Sequence, residues 1–92
     1  MVHVIAKLKV ESYDKWKHVF DERKSLRKQA GSKEGTLYRD HDDPNKLVIL
    51  FDWENMEKAK EFFISESLQK ALQKGGAELV ETIYLEEIEK ST

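Results

Sequence analysis

The chain has 92 residues, with 16 Lys and Arg against 18 Asp and Glu, no cysteine and a formal net charge of -2. Disulfide staples, thiolate chemistry and cysteine-based zinc sites are excluded, and the strong positive field of a dedicated nucleic-acid binder is missing. A single domain of this size leaves much apolar surface uncovered, which makes self-association a live question.

From His3 to Val10, Val4, Ala6, Leu8 and Val10 fall on one side and His3, Ile5, Lys7 and Lys9 on the other, the period of a half-buried strand. Lys7 follows too few apolar residues for a signal-peptide core, and no segment is long and apolar enough to span a bilayer, so a cytoplasmic protein without membrane contact is expected. Ser12 caps a helix whose Tyr13, Trp16, Val19, Phe20 and Leu26 recur at helical spacing, and Gly31 ends it. Arg23, Lys24, Arg27 and Lys28 crowd its last turns, where cations complement the helix dipole. Thr36 to His41 is extended and runs into the turn residues Asp42-Asp43-Pro44-Asn45. The apolar run Lys46 to Trp53 makes the next strand, and the two form a hairpin. Asn55 caps a helix carrying Met56, Ala59, Phe62 and Phe63; a break at Ser65 to Ser67 starts a short helix that Gly75-Gly76 stops. A last strand covers about Leu79 to Ile88.

Strand, helix, strand, strand, helix, strand is the α+β ferredoxin-like βαββαβ plan, one domain over residues 1–92. Right-handed crossovers put both helices on one face of a four-stranded antiparallel sheet. On the third strand Val48 and Leu50 point to one side and Leu47, Ile49, Phe51 and Trp53 to the other, so both sheet faces, the uncovered one included, carry large apolar groups. An uncovered apolar sheet face marks an interface, and a homodimer with the two open faces packed together is expected.

The stretch Leu37-Tyr38-Arg39 through Asp42-Asp43-Pro44-Asn45, followed by Phe51-Asp52-Trp53-Glu54-Asn55, Ala59, Phe62, Ser65, Leu68, Leu72 and Gly75, resembles the antibiotic-biosynthesis-monooxygenase-like family of the dimeric α/β-barrel superfamily. That resemblance implies two subunits joining their sheets into a barrel able to hold a small ligand. It also implies one of several activities, among them cofactor-independent quinone-forming monooxygenase, haem-degrading enzyme, polyketide cyclase and isomerase; fold alone does not choose. Many members carry a glutamate two residues before the Trp and a histidine three residues before the Ser, where this chain has Phe51 and Phe62. The departure weakens the carry-over of catalytic residues, and a haem-binding histidine has no counterpart near Phe62. No cofactor is expected.

His3, Tyr38 and Arg39 are the candidate catalytic groups: an imidazole titrating near neutrality, a phenol able to donate to a carbonyl and a guanidinium able to hold a carboxylate. Ile5, Lys7, Trp16, Phe20, Phe51, Trp53 and Phe62 are the candidate lining of a ligand cavity, with core packing the competing role for the aromatic ones. His41-Asp42-Asp43 reads as a turn, and no metal site is expected. His18 lies off the apolar stripe and is expected to be exposed. An enzyme acting on a small apolar aromatic or polyketide-like molecule competes with a non-catalytic module that binds a metabolite. RNA binding is set aside because Lys46 to Trp53 lacks the glycine pattern, and Val2 to Val10 the aromatic, of RNA-recognition sheets.

Overall fold

In the computed structural model, which describes residues 2–91, the elements run β1 (Val2–Val10), α1 (Tyr13–Glu22), α2 (Lys24–Ala30), β2 (Ser32–Arg39), β3 (Lys46–Trp53), α3 (Met56–Phe63), α4 (Glu66–Lys74) and β4 (Ala77–Glu86). The sheet order is β2-β3-β1-β4 with every neighbouring pair antiparallel, which is the ferredoxin-like arrangement. Register stacks the apolar side chains in rows: Val4 lies opposite Phe51 and Tyr84, and Ala6 opposite Ile49. These residues and Leu8, Val10, Leu47 and Trp53 face the helices and form the core with Trp16, Ala59, Phe62 and Phe63. The other face carries His3, Ile5, Lys7, Val48, Leu50 and Ile83, which no helix covers.

Caps explain where the helices begin. The Ser12 and Asn55 side chains accept from the backbone N–H groups of Lys15 and Lys58. Ser65 serves twice: its hydroxyl donates to the Phe62 carbonyl at 2.7 Å and accepts from the Leu68 N–H at 3.2 Å, closing α3 and opening α4 with one side chain.

Three expectations are corrected. The long first helix is two, because Arg23 adopts φ -94°, ψ 6° and interrupts the ladder. Arg27 holds that break: its Nη1 donates to the Phe20 carbonyl at 2.7 Å, occupying the acceptor at the end of α1. The phase change turns Leu26 outward, to 42% exposed, so it leaves the apolar stripe. The second strand starts at Ser32 and stops at Arg39, leaving His41 in the turn, where the Asp40 carboxylate accepts from the N–H groups of Asp42 and Asp43. The last strand runs earlier, over Ala77–Glu86, and carries a bulge opposite Lys7 and Leu8.

Gly31 joins α2 to β2 at φ +123°, and a Cβ there would lie 2.9 Å from Trp53 Nε1. Its carbonyl accepts from the Glu54 N–H at 2.8 Å, fixing the end of β3 against the end of α2. Gly31→Ala is expected to lower the unfolding free energy by about 1–3 kcal/mol, from backbone strain and displacement of the indole, measured by urea denaturation.

Candidate functional site

A cavity of about 50 Å³ lies between the helix face of the sheet and the helices. Its wall is almost wholly apolar: Ala6, Leu8 and Ile49 form the floor, and Trp16, Phe20, Phe51 and Phe62 supply aromatic sides. Trp16 stacks on Phe20 with ring centroids 4.8 Å apart, while Phe51 contacts Phe63 at 5.6 Å and Trp53 at 5.8 Å. Rings in such a cage offer flat, polarisable surfaces to an aromatic guest. The volume is small beside the roughly 300–1,000 Å³ of ordinary small-molecule sites, so side chains must move to admit a ring.

Among the described residues, Arg23 and Arg27 are the charged groups on this wall. Arg27 is 9% exposed, with its guanidinium carbon 3.6 Å from the Phe20 ring centroid. Burial pushes its pKa down to about 10, with neighbouring Arg23 adding to the shift and Asp21 opposing it. Arg23 donates from Nη1 to the Ser67 hydroxyl at 3.1 Å, and burial lowers its pKa as well. Its Nη2 is buried with no hydrogen-bond partner among the described residues. Each arginine also borders an outer groove. Arg23 borders one of about 550 Å³ between α1 and α4, and Arg27 borders one of about 240 Å³ beside β2.

The sequence candidates divide between the two faces of the sheet. His3, Ile5, Lys7 and Tyr38 lie on the open face. His3 Nδ1 is 2.6 Å from Asp52 Oδ1 across the β1–β3 pair, and Lys7 pairs with Glu81 at 3.2 Å. Tyr38 is 53% exposed on edge strand β2, two strands and four register positions from His3, on the order of 15 Å away. Arg39 points to the helix face, over the Tyr13 ring at 4.9 Å. The three candidate catalytic groups are therefore not brought together. Trp16, Phe20, Phe51 and Phe62 do meet in the cavity wall; Trp53, 0% exposed, stands behind Phe62 at 5.0 Å and outside the lining. His18 is exposed and pairs with Glu22. No group of three His, Asp or Glu among the described residues is placed to hold a metal ion.

Sequence reasoning missed Arg23 and Arg27 as site residues. The signal was present for Arg23, which follows Trp16 by seven positions and continues the apolar stripe of the helix, whereas Arg27 lies beyond the change of phase at Arg23.

These features define a ferredoxin-like α+β domain with an aromatic-walled cavity between its sheet and its helices. The family model for antibiotic biosynthesis monooxygenase matches residues 1–74, and the chain belongs to that family. Solved structures of the same fold include SnoaB, a cofactor-independent oxygenase from Streptomyces nogalater, at 14% identity over 97% of this chain and 94% of that one, TM-score 0.76. A protein from Bordetella bronchiseptica, assigned to the same monooxygenase class, gives TM-score 0.75 at 17% identity, covering 95% of this chain and 96% of that one. Another so assigned, from Caulobacter crescentus, gives 0.71 at 19% identity, covering 96% and 90%. Among curated proteins none matches. Among the described residues no helix is long and apolar enough to cross a membrane.

The His3–Asp52 pair is partly open to solvent, at 27% and 26% exposure, and belongs to the rim of the open face. A double-mutant cycle with His3→Ala and Asp52→Ala, read by urea denaturation at pH 7, is expected to give a coupling of about 1 kcal/mol or less.

Proposed function

We propose that this protein is a cofactor-independent monooxygenase-like enzyme, of the kind that also includes isomerases and cyclases, acting on a small aromatic or polyketide-like molecule held in the cavity between sheet and helices. The observation that carries the proposal is the apolar wall set by Trp16, Phe20, Phe51 and Phe62 in a chain of this family. A cofactor-independent oxygenase of the same fold supports the oxygenase reading over the other two chemistries. A polycyclic phenol with an acidic ring CH2 can itself reduce oxygen. One oxygen atom becomes a new carbonyl, the other leaves as water with the two methylene hydrogens, and no electrons are drawn from a cofactor. His3, Tyr38 and Arg39 lie off the cavity wall, and the proposed chemistry does not run through them.

A second reading, a module that binds such a molecule without turnover, is favoured by one observation. Phe51 and Phe62 place hydrocarbon on the wall, and no carboxylate, imidazole or phenol lines the cavity among the described residues. Oxygen uptake with a phenol of this class, and no added cofactor, separates the two. The enzyme reading expects one O2 consumed per quinone formed and activity kept in the His3→Ala, Tyr38→Phe, Arg39→Ala triple variant. Tight binding without oxygen uptake would establish the binding module instead.

Two chains are proposed to pack their open faces together, which covers Ile5, Val48, Leu50 and Ile83 and sets Ile5 and Lys7 against the partner. Gel filtration with light scattering is expected to give twice the 10.8 kDa chain mass. Leu50→Glu, at the middle of that face, is expected to give monomers; an unchanged mass in that variant would contradict the interface.

A further inference from the structure

We propose that the ligand of this cavity is an aromatic acid whose carboxylate or phenolate is held by Arg23 and Arg27, with its rings among Trp16, Phe20, Phe51 and Phe62. The inference rests on the cavity reading above and narrows its ligand class.

Two guanidiniums on an apolar wall carry a desolvation cost that their contacts with the Phe20 and Phe62 rings offset only in part, and an anion would offset the rest. Among the described residues neither arginine is in an ion pair, and the carboxylates nearest in sequence are occupied elsewhere. Asp21 is held by Lys17 at 2.6 Å, and Glu22 by His18 at 2.9 Å and Lys74 at 3.3 Å. The contacts the arginines do make are neutral, to the Ser67 hydroxyl and the Phe20 carbonyl, and Arg23 Nη2 is buried with a free donor. Planar guanidiniums with open N–H groups match a carboxylate or phenolate oxygen.

The outer groove beside β2 adds an independent observation. It shares Phe20, Arg27 and Phe51 with the cavity and is lined by Lys17, Lys24, Lys28 and Lys33 against Asp21 and Glu34. A local excess of positive charge on a chain of net charge -2 draws anions toward this side. Phe20, Arg27 and Phe51 border both spaces. An acid entering here meets Arg27 first and carries its apolar rings inward.

The probes are 2-naphthoate and neutral 2-naphthamide, titrated into the full-length protein by calorimetry and by NMR of the Ile49 and Leu72 methyl groups. Naphthoate is expected to bind at least tenfold tighter than the amide and to weaken as salt is raised. Arg23→Gln, which keeps a donor for Ser67, and Arg27→Met are expected to bring naphthoate to within about threefold of the amide measured in the same variant. Equal affinities in the native protein, with methyl shifts from both probes, would overturn the acid-holding role and leave the cavity reading intact. Absence of methyl shifts from either probe would overturn both. The comparison in the native protein needs no variant, so a variant that fails to fold does not remove the test.

Discussion

Phe51 and Trp53 stand two residues apart on β3 and hold the helices to the sheet through ring contacts of 5.0 to 5.8 Å with Phe62, Phe63 and each other. Period-2 alternation delivers both rings to the same face, and the helical spacing of α3 presents two phenylalanines to meet them. Burying each ring is worth about 1.5–3 kcal/mol, with about 0.5–1.5 more per well-oriented pair, so this cluster is a large share of what a short chain has to hold it together. Its geometry also sets the cavity, since Phe51 and Phe62 pack on one side and line the hollow on the other.

Arg27 links fold to site. Its hydrogen bond to the Phe20 carbonyl caps the break between α1 and α2, and the same side chain lies on the Phe20 ring at the cavity wall. The interruption that bends the first helix therefore brings a charged group into an apolar place. Natural chains keep such a charge where a ligand or a specific geometry compensates it. The two sheet faces differ in cover. The helix side surrounds the cavity, and the open side carries Ile5, Val48 and Leu50 beside the Lys7–Glu81 pair.

Much of the architecture was legible from periodicity. Val4, Ala6, Leu8 and Val10 on one strand and Leu47, Ile49, Phe51 and Trp53 on another fall on one face because alternation is a local property of extended backbone. The break at Arg23 was not, because it involves neither Gly nor Pro and is held by a side chain seven residues from its acceptor, a contact that exists only once α2 is in place. Nor was the start of β2, since Ser32, Lys33, Glu34 and Gly35 form an edge strand with little to bury. Helical and strand spacing put Trp16, Phe20, Phe51 and Phe62 on the inward stripes that border the cavity. Arg23 shares that spacing, but the helix dipole offered a sufficient role for any cation near a C-terminus, and Arg27 reaches the wall only through the break. His3, Tyr38 and Arg39 were chosen for their chemistry, and pairing register, which no single strand specifies, separates them.

The central claim is that ligand binds on the helix side of the sheet and not between two sheets. A crystal structure of the protein with a bound aromatic acid tests it directly. The expected result is rings enclosed by Trp16, Phe20, Phe51 and Phe62 with the acid group at Arg23 and Arg27. Density for the ligand between paired open faces, against Ile5 and Lys7, would contradict it.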